Sequence, residues 1–436
     1  MTTERRLERD LPQILGDLAM GPYPDYIDDV LATTAQRRQR AAWTFPERWF
    51  PMVDVARQPV LAPGLPWRQL GVLALIAVLI AAALAAFVGS QGRLPAPFGP
   101  ARNGVVAYEA GGDIYSADPI TGVTRAIVTG PETDLGPRYS LDGTHIVFER
   151  MVDSAHGQLY IAGSDGSDLT LVTPEPVMLT KSLLGEPWEK YEFSPDGRFV
   201  LFASSAGGHA TMSIAATDGS GVRTLEVGMT AYEPSFRPPD GAEILFVGKG
   251  GVPLGHGLYA VDVSSGLVRP IVEPSPNFDL AGATWSPDGS QIAYWSWAGE
   301  VEGITAHTHV VLADGSGDIQ LPAPRDADWS LGSEWSNDGT RLLVLRGYTP
   351  DTKDVRPVVI PADGSSLGVE FRKTGPLNEG CCPSWEWSPD DTSILGMPVH
   401  ESGEPGQQVI LDVATGRFDA APWTSTSDPT WQRLAP

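Results

Sequence analysis

The chain has 436 residues, a formal net charge of −24, 42% hydrophobic residues and only two cysteines. A body this acidic repels phosphate backbones, which argues against nucleic acid as its ligand. It stays soluble and attracts cations or basic surfaces, and no run of like charges is long enough to read as a disordered tail.

Residues 1–66 read as a helical tail. The first 69 residues hold nine Arg and nine acids, so the negative charge belongs to the remainder of the chain. Leu7, Leu11, Ile14, Leu15 and Leu18 recur at helical spacing behind Glu4, Glu8 and Asp10, with Pro12 either kinking the helix or starting it. A second helix is predicted from Asp25 to Arg40, acidic early and basic late as the helix dipole favours. Then come four aromatics, Trp43, Phe45, Trp49 and Phe50, interrupted by proline; they suit a partner surface or a membrane interface. Two short amphipathic helices bury too little surface to fold alone, so a partner, a dimer mate or the membrane is needed to stabilise them.

Residues 67–90 are predicted to cross a membrane. From Leu70 to Val88 there are 19 residues without a polar or charged side chain. At 1.5 Å per residue they span roughly 28 Å, matching a hydrocarbon core. Buried core helices are rarely uncharged for so long, and a cleaved signal peptide would not follow 69 residues. Flanking arginines tie (Arg57 and Arg68 before, Arg93 and Arg102 after), but Arg37, Arg38, Arg40 and Arg48 favour a cytoplasmic N-terminus. Long domains translocate largely regardless of charge, so the acidic body is expected outside the cell membrane. Residues 91–102, rich in Gly and Pro, form a short stiff linker.

Residues 103–436 repeat one phrase. Its clearest form is Trp285-Ser286-Pro287-Asp288-Gly289 followed by Ile292-Ala293-Tyr294, with aromatic anchors also at Tyr139, Phe193, Phe236, Trp335, Trp387 and Trp431. The anchors lie 54, 43, 49, 50, 52 and 44 residues apart, and a period near 50 with short strands is the signature of a β-propeller blade. In Pro-Asp-Gly, proline fixes φ, aspartate caps the turn and glycine accepts a positive φ. An apolar strand comes next, buried on both faces between blades, and then a hairpin with Asp and Gly at its tip, as in Val310–Leu321. The segment around Val105 lacks a leading anchor strand, whereas Trp431 has nothing after it. Joined, they complete one blade and zip the ring shut without an open sheet edge. The expected fold is all-β, a seven-bladed propeller; six or eight blades would require reassigning one copy.

The phrase W-S-P-D-G-x-x-I-x-F/Y followed by Y-x-x-D-x-x-T/S-G-x-x-R, best seen in 283–295, 191–203 and 114–127, resembles the TolB-like propeller repeat of bacterial envelope proteins. That resemblance implies a propeller and a protein-docking role in the envelope. The family's namesake is six-bladed, whereas this chain has seven copies, a membrane span and no small α/β domain ahead of the repeats. The same repeat caps prolyl-oligopeptidase-like hydrolases, but here the chain stops at Pro436. Its one G-x-S-x-G match, Gly364–Gly368, falls in a hairpin tip instead of a strand-to-helix elbow. The tail and span look like single-pass anti-sigma-factor-like proteins, which implies a sigma factor or other cytoplasmic partner. The His/Cys triad of their zinc-binding class is missing, since no Cys or His precedes residue 100.

No catalytic constellation, cofactor site or metal site is defensible from spacing. His307 and His309 share a strand face but lack a third ligand. Adjacent Cys381 and Cys382 read either as a strained vicinal disulfide or as two small thiols. Trp297 and Trp329, off the repeat positions, are candidates for a recognition surface outside, against ordinary packing between blades. The expected function is a membrane-anchored, non-enzymatic protein-binding scaffold of the cell envelope. A signalling protein whose tail holds a cytoplasmic partner is the alternative, with a hydrolase behind both.

Overall fold

Seven four-stranded antiparallel sheets make up the computed structural model of the chain. It describes residues 98–179, 191–206, 209–249, 255–298, 305–348, 355–372, 384–397, 407–425 and 428–435. The chain divides into two units, residues 1–89 and 90–436, and all described residues belong to the second. The predicted tail, the membrane-spanning run, Trp43, Phe45, Trp49, Phe50, Cys381 and Cys382 lie outside the described residues. Among the described residues, no helix is long and apolar enough to cross a membrane.

Each aromatic anchor lies on the innermost strand of its blade. These inner strands are Asp134–Tyr139, Tyr191–Phe193, Thr230–Phe236, Asp279–Trp285, Trp329–Trp335 and Ser384–Trp387 for blades 2 to 7, and Thr430–Leu434 for blade 1. The next strand outward carries the apolar run, and it is buried on both faces as expected: Ile244, Leu245, Phe246 and Val247 are all 0% exposed. The Asp-Gly hairpin then supplies the two outer strands.

The turn between the first two strands is more than proline, aspartate and glycine. In the Ser-Pro-Asp-Gly copy, Ser286 donates its hydroxyl to Asp288 at 2.6 Å and accepts the Gln291 N–H at 3.0 Å. Asp288 also takes the Ser290 N–H at 3.0 Å. Ser140, Ser194, Ser336 and Ser388 repeat the arrangement, each bonded to the aspartate two residues on and to the N–H five residues on. Burial by itself would raise the carboxyls of Asp142, Asp196, Asp288, Asp338 and Asp390, but these hydrogen bonds outweigh it and hold all five below their ordinary value.

Seven apolar clusters fill the seven interfaces between blades. Leu245, Leu258 and Ile271 of blade 4, for example, pack against Leu280, Trp285 and Tyr294 of blade 5. The seam obeys the same rule: Val106, Tyr108 and Trp431 of blade 1 pack on Leu395 and Trp423 of blade 7. On its other face blade 1 sets Ala107, Ile114 and Val128 against Ile146 and Phe148. Blade 1 itself joins the two ends, since Arg102–Ala110 pairs antiparallel with Thr430–Leu434, Val106 facing Trp431 and Ala107 facing Thr430. The seven-bladed ring and its closing blade are therefore as the repeat predicts.

Turn glycines also lean on the preceding blade. A Cβ at Gly289, whose φ is +68°, would stand 2.0 Å from the Pro238 carbonyl oxygen, whereas at Gly197, with φ +70°, it would meet nothing within 4 Å.

Chemical denaturation should separate these contributions. Gly197→Ala is expected to cost only the left-handed backbone penalty, about 1–2 kcal/mol, and Gly289→Ala at least twice that because a backbone oxygen is in the way. Ser336→Ala removes a fully buried hydroxyl that bonds both ways and should cost about 1–3 kcal/mol. Trp285→Ala, as a core truncation, should cost about 3–5 kcal/mol. In acid, the turn aspartates contribute stability above their unfolded pKa that is lost as pH falls below about 4, so thermal midpoints should drop there.

Candidate functional site

The inner strands present a polar residue immediately before each anchor. In blade order from 2 to 7 these are Arg138, Glu192, Ser235, Thr284, Glu334 and Glu386, with Thr430 in blade 1. All seven line a cavity of about 620 Å³ on the ring axis. Glu233 and Asp428, each two residues before the polar residue of its blade, add two more carboxylates to the wall. Among the described residues, five carboxylates and one guanidinium thus line it.

Alternation along each strand divides the work. The anchor ring turns back toward the preceding blade, and two indoles mark the direction. Trp335 donates its ring N–H to the Thr284 carbonyl at 3.3 Å, and Trp387 donates to the Glu334 carbonyl at 3.2 Å. The polar residue turns forward. Glu192 accepts the N–H of Phe236, the anchor of the next blade, and Glu386 accepts the N–H of Trp431 at 3.2 Å and the Thr430 hydroxyl at 3.3 Å. Inner strands are sheet edges with unpaired backbone groups, and these side chains satisfy them.

Four inner strands carry a bulge ahead of the polar residue. The bulge needs a left-handed residue three before the anchor, supplied by Gly136, Gly282 and Gly332, but by Glu233 with φ +52° in blade 4. Its carboxylate, almost fully buried, accepts the Gly282 N–H of the next blade at 2.7 Å. That bond offsets a backbone conformation costing about 1–3 kcal/mol for a residue other than glycine.

Across the seam the charges form one network. Arg138 of blade 2 donates to Asp428 at 3.1 Å and lies 4.0 Å from Glu386 of blade 7. Burial between the strands pushes the Glu386 carboxyl up to about 7, against the opposing pull of Arg138 and the Trp431 N–H; Glu334 adds to the rise. Phe98 also lies in the cavity wall, and Arg433, beside the smaller cavity, donates to the Gly99 carbonyl and to Asn337. Asp391, standing where other copies have the turn glycine, has φ +60° and accepts N–H groups from Asn337 and Asp338 at 2.7 and 2.9 Å.

One arrangement escapes sequence reasoning altogether. Ser296 Oγ lies 3.0 Å from His309 Nε2, whose Nδ1 lies 3.4 Å from Asp318, and Tyr294 donates to the same aspartate at 2.9 Å. His309 stacks on Tyr294 with ring centroids 4.9 Å apart. The order is that of a hydrolytic triad, but Ser296 is buried in mid-strand and lines neither the axial cavity nor the smaller one beside the seam. Next to it, burial and the His309 ring hold His307 below its ordinary pKa. The G-x-S-x-G match lies in the outer hairpin of blade 6, where Asp363 caps the Ser365 N–H. Trp329 is buried in the cluster between blades 6 and 7, and Trp297 packs against the same cluster half-buried, tilted on Trp295 at 5.3 Å. The structure does not bring these two to the axial cavity. Among the described residues, no three His, Cys, Asp or Glu side chains lie close enough to hold a metal ion.

No protein-family model matches the chain. Among solved structures it is similar to an oligogalacturonate lyase from Vibrio parahaemolyticus, at 12% identity over 74% of this chain and 86% of that one, with a TM-score of 0.52. A prolyl endopeptidase structure matches at 13% identity over 80% of this chain and 56% of its own length, with a TM-score of 0.52. TolB from Acinetobacter baumannii is 16% identical over 60% of this chain and 61% of its own length, with a TM-score of 0.42. At such identities the likeness is one of fold, the propeller.

The forward-reaching carboxylates can be tested directly. Glu192→Ala leaves the Phe236 N–H unsatisfied and is expected to cost about 1–3 kcal/mol in urea unfolding, while Glu192→Gln keeps an acceptor and should cost clearly less.

Proposed function

We propose that the chain is a membrane-tethered binding module whose propeller engages a protein partner outside the cell, without catalysis. What carries this reading is the axial cavity: its carboxylates Glu192, Glu233 and Glu386 accept backbone N–H groups of neighbouring blades. Carboxylates held this way stiffen a ring and give it a negative potential, which suits a rigid platform that attracts basic groups. General acid–base work would ask for a carboxyl free to reach a substrate. The apolar run from Leu70 to Val88 supports the tether, and the repeat's resemblance to the TolB-like pattern supports docking over chemistry. Lyases and endopeptidases share the fold, so the fold alone does not separate binding from catalysis. The tail before the span favours a second reading, in which an inner partner such as a sigma factor senses the outer contact.

Two measurements on the full chain in its own membrane decide between these readings. Protease added to intact spheroplasts should digest the propeller and spare the tail; a protected propeller ends the tethered-outside reading. Co-purification of an outer protein partner should weaken when Glu192 and Glu334 are both changed to Gln. If an inner partner is also recovered, and is lost when residues 1–66 are deleted, the signalling reading replaces the scaffold.

A further inference from the structure

The seam is the one place where the ring depends on chain ends meeting, and a titratable side chain holds it. Glu386 of blade 7 reaches forward to the closing strand, its Oε1 accepting the Trp431 N–H and the Thr430 hydroxyl. Its Oε2 makes no hydrogen bond and is covered, although the side chain as a whole is 34% exposed toward the cavity; Arg138 lies 4.0 Å away. Arg138 is committed more closely to Asp428, at 3.1 Å. An ionised carboxylate with one orphaned oxygen is poorly accommodated, whereas a neutral one still accepts from Trp431.

We propose that Glu386 makes the seam a proton-sensitive latch, holding the closing strand to blade 7 more firmly when protonated than when ionised. The groups that face it are Arg138 and Tyr139 from blade 2, Asp428 and Arg433 from the closing segment, and Glu334 from blade 6. Glu334 repels the ionised form, Arg138 favours it, and burial opposes it; the balance lies near neutrality. A carboxyl that holds its proton more tightly folded than unfolded contributes stability that is present below its unfolded pKa and is lost as pH rises toward 7. The latch tunes the seam and does not abolish it, since other bonds there carry no titratable acid. Within blade 1 Arg102 donates to the Ala435 carbonyl at 3.0 Å, and on the blade 2 side Gln432 donates to the Gly143 carbonyl at 2.7 Å.

Amide hydrogen exchange on the full chain in detergent micelles, corrected for intrinsic rates, tests this at about pH 6 and about pH 8.5, either side of neutrality. Amides of Asn103–Ala107 and Trp431–Leu434 should lose protection at the higher pH by roughly three- to tenfold, relative to those of Arg341–Gly347 in blade 6. Glu386→Gln should remove that difference. An equal change in both regions, or a seam difference that survives Glu386→Gln, overturns the latch. Should Glu386→Gln fail to fold, Glu334→Gln serves instead. Removing the like charge should move the midpoint of the seam's pH dependence downward, and an unmoved midpoint is equally fatal.

Discussion

Antiparallel pairing between Arg102–Ala110 and Thr430–Leu434 is the constraint on which the rest of this ring depends. Each blade's second strand is apolar on both faces, which is tolerable only if a neighbour covers each face. In an open arc the first and last blades would expose one such face each. Closing the arc through a shared blade removes both exposures at once and leaves all seven interfaces with a buried cluster. The cost is entropic: more than 300 residues separate Val106 from Trp431, which makes this pairing the least local between strands of the fold.

Closure explains why the inner strands are built as they are. A strand on the axis has no partner on its inward side, and it must also hold two blades at a fixed angle. Alternation settles both. The anchor ring reaches back into the preceding interface, and the residue before it reaches forward to a backbone N–H. Glu233 and Asp391 show how far the local chemistry bends to this. Each occupies a left-handed position that other copies give to glycine, and each carboxylate spans to a neighbouring blade's N–H groups. The channel is acidic partly because carboxylates are good at this bridging.

Most of the ring is legible in the sequence because blade-forming positions are local and periodic. The aromatic anchors, the Asp-Gly turns and the split first blade can be counted from spacing alone, and they correspond to sheets one by one. The serine of Ser-Pro-Asp-Gly is equally visible, but its role is not, because its second bond, to the N–H five residues on, exists only once the hairpin has folded. The seven polar residues before the anchors leave a usable signal as well: seven of seven are polar, each directly ahead of an aromatic ring. Their meeting on one axis is a product of the ring, not of any single copy. Ser296 and Asp318 leave no signal, and His309 none beyond its sharing a strand face with His307, since strand pairing and a hairpin turn bring the three together from separate positions.

That last trio shows why geometry must be weighed against access before chemistry is assigned. A nucleophile needs a route for substrate, a place for developing negative charge and a base free to cycle its proton. Ser296 lies buried on a regular strand, the His309 ring is stacked against Tyr294, and the Tyr294 hydroxyl shares Asp318 with His309. Every one of those contacts ties together neighbouring strands and the hairpin of the same blade. This network spans two strands and their outer turn through the Ser296–His309 and Tyr294–Asp318 hydrogen bonds, while His309 Nδ1, 3.4 Å from Asp318, is buried without one. It therefore belongs with the serine–aspartate turns and the forward-reaching glutamates, as hydrogen bonding that fixes blade geometry. Charge and open volume coincide instead in the axial cavity, away from this network.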